Sequence, residues 1–250
     1  FELQNDFSVA ILGLSNFFRE DAAVTAQTMQ IGNKPCHIYG ETHAEYLLFQ
    51  MTGEHELQSM ESEVAAIAQS AHRFLFAAIP VESWNDALSP WEAPAVWGKQ
   101  GFGGNAGDTL RFLTEQVIPT LKRQFPLPEN VKIILGGYSL AGLFALWAST
   151  QTNLFYGIAA ASPSVWFPGW MEHEQQHPIQ AQRVYLSLGD KEEHTKNAVM
   201  AVVSDNIRTL HSRLIERGAD CTLEWNSGGH FKDADLRTAK AFRWTMEESR

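Results

Sequence analysis

The sequence predicts an α/β protein built on a mainly parallel β-sheet with helices on both faces. Strand-like and helix-like segments alternate along the 250 residues, and parallel strands are usually joined by a crossover helix. No Asp, Glu, Lys or Arg occurs from Ile133 to Met171, as expected for strands and a helix buried on both sides. Hydrophobic residues make up 44% of the chain, so it can form the large core that this architecture needs.

The individual elements follow from hydrophobic periodicity and turn residues. Two strand-like segments flank Gly32-Asn33, which predicts an antiparallel hairpin at the edge of the sheet. The remaining strands are short apolar runs, and the helices repeat apolar residues every three or four positions. The predicted strands are 24–31, 34–39, 46–51, 74–79, 131–135, 157–161, 183–188 and 221–225. The predicted helices are 54–71, 109–124, 140–149, 198–218 and 235–246.

No repeat or linker divides the chain. We therefore expect one domain over residues 23–250, preceded by an extension at 1–22 whose role is unassigned. The long irregular stretch 81–107 leaves the carboxyl end of a predicted strand, where ligands bind in open α/β sheets. Loops of this length inside a compact domain are usually functional, so this loop is expected to border a site.

Composition argues against several classes of protein. The formal charge of −10, without a basic cluster, argues against nucleic-acid binding. Polar breaks at 136–139 and 149–153 leave apolar pieces too short to span a membrane. Cys36 and Cys221 are expected to be reduced thiols rather than a disulfide framework. Residues 7–18 are apolar but lack the features of a signal peptide, so we expect a cytoplasmic protein. The oligomeric state stays open.

The strongest chemical pattern is GYSLAG at 137–142, between a predicted strand and a predicted helix. It predicts a nucleophile elbow, a strained turn that lifts the Ser139 hydroxyl above the sheet. Gly137 and Ala141 are small enough for strand and helix to approach closely. The Leu140 N–H at the helix N-terminus could stabilise an oxyanion. The alternative is an ordinary turn with Ser139 as helix N-cap.

His230 is the candidate general base. It lies in a Gly-rich loop after the predicted strand 221–225, at the same sheet edge as Ser139. Its position after the acid candidates matches the order nucleophile, acid, histidine of hydrolases with an elbow. It would take the proton of Ser139 and return it to the leaving group. The alternative is a loop histidine without a catalytic role.

The acid would follow the predicted strand 183–188, where several carboxylates compete. The candidates are Asp190, Glu192 and Glu193. A triad acid often comes three residues after a glycine that ends the strand, here Gly189. This spacing favours Glu192, with Asp190 as the alternative.

Aromatic residues lie close to these motifs in the sequence. We predict that they line a substrate pocket, with the alternative that they anchor loops to the core. The candidates are Trp84, Trp91, Phe102, Tyr138 and Trp166.

Two cofactor motifs are outweighed by their context. His173 to His177 matches H-E-x-x-H, but Pro178 follows directly and no third ligand is marked, so we expect a solvated loop or short helix rather than zinc. The segment 101–106 fits G-x-G-x-x-A, but no strand precedes it, so a dinucleotide site is not predicted.

Four segments taken together resemble the esterase family of α/β-hydrolases that includes esterase D-like enzymes and enterobactin-type siderophore esterases. They are GYSLAG at 137–142, SPSVW at 162–166, GDKEE at 189–193 and GHF at 229–231, and the similarity covers residues 24–246. The resemblance implies an α/β-hydrolase fold without a separate cap domain, a small-molecule ester substrate and no metal or cofactor. It also implies a triad of Ser139, His230 and Glu192 or Asp190.

The resemblance further implies a second oxyanion donor at the end of the third strand, where Met51 is the candidate. Siderophore esterases are expected to bind anionic catecholates through basic residues. Because this acidic chain has no basic cluster near its motifs, we predict a serine esterase of simpler acyl esters. A peptidase or acyltransferase with the same triad, or a non-catalytic binding protein, are the alternatives.

Overall fold

The computed structural model describes residues 25–70 and 72–247. The strands are β1 Thr25–Ile31, β2 Lys34–Gly40, β3 Tyr46–Thr52, β4 Phe74–Pro80, β5 Glu92–Ala93, β6 Phe102–Gly103, β7 Lys132–Tyr138, β8 Gly157–Ala161, β9 Arg183–Gly189 and β10 Asp220–Asn226. The helices are α1 Met60–Ile67, α2 Trp84–Ala87, α3 Ala106–Phe112, α4 Ile118–Gln124, α5 Leu140–Gln151, α6 Trp170–Gln176, α7 Val203–Glu216 and α8 Ala234–Met246. The predicted extension, 1–22, lies outside the described residues.

Eight strands form one sheet in the order β1-β2-β4-β3-β7-β8-β9-β10. β1 pairs antiparallel with β2, and β2 with β4, whereas every other neighbouring pair is parallel. This topology confirms the predicted parallel sheet with antiparallel N-terminal strands. The carboxyl ends of β3, β4 and β7–β10 therefore share one edge of the sheet.

Helices cover both faces of this sheet, as predicted. Side chains alternate along β3, so that Phe49 and Met51 face one core and Leu48 faces the other. Apolar residues of α3, α4, α5 and α7 fill the first core, and those of α1 and α8 fill the second. The two cores hold the sheet from both sides, which fixes the positions of the strand ends.

The charge-free segment forms the centre of the molecule. It carries β7, α5 and β8, and every residue of α5 from Leu140 to Thr150 is buried. Deep core, rather than membrane, therefore explains its composition. No helix in residues 25–70 and 72–247 has both the length and the apolar character needed to cross a bilayer.

Several element boundaries differ from the prediction. The predicted helix 54–71 begins as the 3₁₀ turn Glu56–Ser59 and ends at Ile67. The predicted helix 109–124 is interrupted by the π-helical turn Leu113–Val117. Pro119 follows this turn, and because proline has no N–H it cannot continue the regular hydrogen-bond series. The stretch 81–107 is not wholly irregular, since it contains α2 and the ribbon β5–β6.

Candidate functional site

Ser139 lies between the last residue of β7 and the first residue of α5. Its backbone has φ 57° and ψ −119°, a left-handed conformation that is costly for a residue with a β-carbon. Hydrogen bonds hold this geometry: Ser139 N–H donates to the Ala161 carbonyl at 3.2 Å, and Leu143 N–H and Ser164 N–H donate to the Ser139 carbonyl at 3.1 and 3.0 Å. The elbow is therefore a strained turn that its neighbours fix.

The small residues around Ser139 allow strand and helix to meet. A β-carbon added at Gly137 would lie 2.6 Å from the Ala141 β-carbon, and one added at Gly142 would lie 3.0 Å from the Gly137 carbonyl oxygen. Both separations are shorter than non-bonded carbon contacts allow. The tight approach of β7 and α5 therefore depends on Gly137.

The Ser139 hydroxyl contacts the His230 imidazole, which in turn contacts the Glu192 carboxylate. His230 Nε2 lies 3.0 Å from Ser139 Oγ, and His230 Nδ1 lies 2.7 Å from Glu192 Oε2. The Glu192 side chain is only 5% exposed. Asp190, by contrast, is exposed and accepts a hydrogen bond from Gly228 N–H at 2.8 Å. The structure thus brings Glu192, and not Asp190, into contact with the histidine.

The second carboxylate oxygen of Glu192 accepts three hydrogen bonds. Glu192 Oε1 accepts hydrogen bonds from Ser162 Oγ and Gly189 N–H, both at 2.7 Å, and from the Arg237 guanidinium at 3.4 Å. These donors leave Oε2 for His230. The carboxylate therefore cannot rotate without losing several hydrogen bonds.

Tyr138 holds the histidine through its backbone. The Tyr138 hydroxyl donates to the His230 carbonyl at 2.6 Å and accepts from Arg237 at 3.1 Å. Burial raises the pKa of the Tyr138 phenol above its ordinary value, so the hydroxyl remains a donor. These contacts give Tyr138 a place behind the histidine, which differs from the predicted place in the wall of a substrate pocket.

The backbone N–H groups near Ser139 differ in their availability. Leu140 is the first residue of α5, where N–H groups have no partner within the helix. Met51 lies inside β3, in register with Ile79, and its side chain is buried in the core. Just after β3, Gly53 N–H donates to Glu56 Oε2 at 2.7 Å, and burial raises the pKa of that carboxyl to about 7.

Glu54 is the next residue along. Within the described parts of the chain, no hydrogen bond donated by the N–H of Glu54 or of Leu140 is found. The register between β3 and β7 pairs Gln50 with Gly136. Glu54 lies two residues beyond the end of β3, and β3 is the sheet neighbour of β7, the strand that leads to Ser139.

Phe102 and Trp166, two of the predicted aromatic pocket residues, belong to one aromatic cluster. Phe102 and Trp166 have ring centroids 6.3 Å apart, and the half-exposed Trp97 lies 5.9 and 5.5 Å from them. Trp166 comes two residues after Ser164, whose Oγ lies 3.4 Å from Ser139 Oγ. The chain therefore leads from a residue in contact with Ser139 to this cluster within two positions.

The other two predicted tryptophans have different neighbours. Trp91 donates from its indole nitrogen to the Pro168 carbonyl at 2.9 Å, with its ring 5.7 Å from that of Phe167. Trp84 has its ring 6.5 Å from that of His55, in the loop after β3. Trp91 is linked to the cluster of Phe102 and Trp166, because the Phe167 ring lies 5.1 Å from that of Phe102. Trp84 has no ring contact with this cluster among the described residues.

The H-E-x-x-H segment forms a short helix, as one of the two expected alternatives had it, although Glu174 within it is buried. His173 lies on the short helix α6, with its ring 4.7 Å from that of His177. Glu174 is fully buried and forms ion pairs with Arg213 and Arg217, so it is unavailable as a catalytic base. Across the described residues, no group of three or more His, Cys, Asp or Glu side chains is arranged to hold a metal ion.

Sequence reasoning missed Arg237, Ser162 and Trp97 as members of the site. Arg237 belongs to the buried face of α8 beside Thr238 and Ala241. A charged residue on an otherwise buried helix face was the available indication. Ser162 follows β8 and has φ 42°, a conformation that its sequence does not reveal.

Comparison with known proteins identifies the family of this chain. The family described as "Putative esterase" matches residues 61–232. The uncharacterized protein YbbA of Bacillus subtilis (strain 168) is 25% identical over 209 residues, which is 79% of this chain and 82% of that protein.

Solved structures share the fold. An IroE-like serine hydrolase from Shewanella oneidensis superposes with a TM-score of 0.72 at 15% identity, covering 88% of this chain and 79% of that one. The siderophore hydrolase EstB from Aspergillus nidulans gives 0.68 at 16% identity, covering 96% and 98%. These likenesses confirm the predicted α/β-hydrolase fold.

Proposed function

This chain belongs to the family described as "Putative esterase" and is a carboxylic-ester hydrolase, and we propose that Ser139, His230 and Glu192 are its catalytic triad. The observation that carries the proposal is the continuous line of contacts, 2.7 Å from Glu192 Oε2 to His230 Nδ1 and 3.0 Å from His230 Nε2 to Ser139 Oγ. Both distances suit hydrogen bonds, so each group can orient the next.

The reaction follows from these contacts. His230 Nε2 takes the Ser139 proton as Oγ attacks the ester carbonyl, and Glu192 stabilises the resulting imidazolium. The imidazolium then protonates the departing alcohol, which leaves an acyl group on Ser139. Water, deprotonated by His230, attacks the acyl-enzyme; the proton returns to Ser139 and the carboxylic acid is released. Every proton in the cycle passes through Nε2.

Two backbone N–H groups are our candidates for the oxyanion hole. Leu140 N–H lies at the N-terminus of α5, where the helix dipole favours negative charge. As the second donor we propose Glu54 N–H in place of Met51, because Glu54 follows β3, the strand next to β7, and its N–H donates no hydrogen bond within the described residues. Met51 instead lies within the strand, with its side chain buried.

The substrate is a small-molecule ester, and we propose a simple acyl ester rather than an anionic siderophore. The loops that carry the acid and the base mix charges of both signs, which supports this choice. The charges are Asp190, Lys191, Glu193, Lys232 and Asp233. The cluster formed by Phe102, Trp166 and Trp97 is the proposed wall for the acyl or alcohol group.

Cytoplasmic location and the lack of a nucleic-acid partner remain proposals. The free thiols of Cys36 and Cys221 support the first, and the formal charge of −10 supports the second. Cell fractionation and a DNA-binding titration test them, and sedimentation determines the oligomeric state.

A fluorophosphonate probe tests the triad. The wild-type protein should be labelled and should cleave p-nitrophenyl acyl esters, whereas Ser139→Ala should lose labelling and about 10⁴-fold or more of kcat. Ser164→Ala is the matched control and must still be labelled, because His230 contacts Ser139. Labelling of Ser139→Ala at the wild-type rate would refute the assignment. Matched amides and a catecholate trilactone, assayed in parallel, test the substrate class.

A further inference from the structure

Arg237 is a buried cation on α8 that contacts three parts of the proposed site. One guanidinium nitrogen lies 3.4 Å from Glu192 Oε1 and 3.1 Å from the Tyr138 hydroxyl, and the other donates to the Ser227 carbonyl at 3.1 Å. The side chains of Arg237 and Glu192 are each 5% exposed. A guanidinium can serve these acceptors together because its donors form a rigid planar fork.

These contacts join segments that are far apart in the sequence. Tyr138 ends β7, Glu192 follows β9 and Ser227 follows β10. The Arg237 guanidinium contacts all three residues and so links the ends of three strands. Arg237 therefore fixes the acid relative to both the elbow and the loop that carries His230.

The charge of Arg237 also has an electrostatic consequence. During catalysis His230 becomes a cation, and Glu192 stabilises it. A second cation on the opposite carboxylate oxygen weakens this stabilisation, because buried charges a few ångströms apart still interact strongly. Removing the positive charge would favour the imidazolium and would shift the activity profile to higher pH.

We propose that Arg237 is a positioning residue of the triad, which orients Glu192 toward His230 and balances its charge. This inference rests on the proposed triad. It goes beyond that proposal because Arg237 lies on α8 and contacts the proposed acid Glu192 rather than a reacting atom.

Other titratable groups near Arg237 do not obscure this effect. Burial raises the pKa of Tyr138 and of Tyr185, whose hydroxyl donates to Glu224 on β10. Both phenols therefore stay neutral in the range where a histidine titrates. The other charges of the loops that carry Glu192 and His230 lie outside the core; they are Asp190, Lys191, Glu193, Lys232 and Asp233.

Three variants test the proposal in the pH dependence of kcat/KM. Arg237→Met removes the charge and the fork, and should lower kcat/KM about tenfold and move the midpoint of the acid limb up by about one pH unit. Arg237→Lys keeps the charge without the fork, so kcat should fall while the limb moves by less than about 0.3 units. Arg243→Met, on the same helix but bonded to Gln69, should match the wild type.

The results separate the possible failures. A folded, probe-labelled Arg237→Met whose acid limb stays in place, or moves down, overturns the proposal. So does an Arg237→Lys whose limb moves as far as that of Arg237→Met. If Arg237→Met does not fold, Arg237→Lys decides, because wild-type kcat at every pH would refute a positioning role. If instead Ser139→Ala retains labelling, the triad itself fails, whatever the Arg237 variants show.

Discussion

The two sides of the candidate site are held in place by different interactions. The elbow segment, residues 136–142, is fixed by steric fit and by backbone hydrogen bonds to Ser139: Gly137 packs against Ala141, and α5 is buried from Leu140 to Thr150. The histidine loop, residues 227–233, lies at the surface, and Phe231 is 96% exposed.

Hydrogen bonds from distant residues hold the histidine loop. Tyr138 donates to the His230 carbonyl, Arg237 donates to the Ser227 carbonyl, and Asp190 accepts from Gly228 N–H. Packing and backbone hydrogen bonds therefore place the proposed nucleophile, whereas side-chain hydrogen bonds place the proposed base in a surface loop. The two sides should therefore fail in different ways.

The largest expected effect on kcat is that of replacing Glu192, and Asp190 provides the comparison. Glu192→Gln presents an amide to His230 Nδ1 and favours the wrong tautomer, so kcat should fall about 10³–10⁴-fold. Asp190→Asn keeps an oxygen acceptor for Gly228 N–H and should change kcat by less than about threefold.

Steady-state ester hydrolysis, on proteins whose folding is checked by circular dichroism, measures both carboxylate variants. Glu192→Gln also loses stability, because Arg237 then lies buried beside a neutral amide. The assays therefore need a temperature at which both variants are folded. A greater rate loss in Asp190→Asn than in Glu192→Gln would transfer the role of acid to Asp190.

The next effect concerns packing at the elbow. In Gly137→Ala the new β-carbon would lie 2.6 Å from that of Ala141, so β7 and α5 must separate around Ser139. We expect the free energy of unfolding to fall by about 1–3 kcal/mol. We also expect kcat/KM to fall about 10²-fold, because small displacements of reacting groups are costly.

The double variant Gly137→Ala with Ala141→Gly is the control for this packing argument. It removes the closest contact but keeps others to the backbone of residue 141, so activity should return in part. Thermal melts and ester hydrolysis measure both proteins. Wild-type activity in the single variant would show that steric fit does not place the nucleophile.

The smallest expected effect concerns one hydrogen bond of the histidine loop. Tyr138→Phe removes the donor to the His230 carbonyl and should lower kcat about five- to tenfold, the size expected for one buried hydrogen bond. Tyr185→Phe is the matched control, because its hydroxyl donates to Glu224 on β10 and not to the histidine loop. It should lose similar stability and keep wild-type kcat. Equal kcat values in the two variants would contradict the role given to Tyr138.

Much of the fold could be predicted because its elements have local causes. Apolar runs predicted the strands, and small residues around Ser139 predicted the elbow between β7 and α5. Boundaries failed where the cause was not periodicity. Pro119 follows a π turn that interrupts a helix, and the 81–107 stretch contains the ribbon β5–β6, which pairs residues about ten positions apart.

The sequence by itself determined the order of the proposed nucleophile, acid and histidine, and it placed Ser139 in an elbow because the small residues that the elbow needs lie within three positions of it. The spacing after Gly189 favoured Glu192 as the acid but left Asp190 as an alternative. Only the tertiary structure decided which carboxylate contacts His230. Glu192 is selected by Ser162 and Arg237, which reach it from β8 and α8. Hydrogen bonds between distant segments depend on how the sheet and helices pack, so no local pattern in the chain could reveal them.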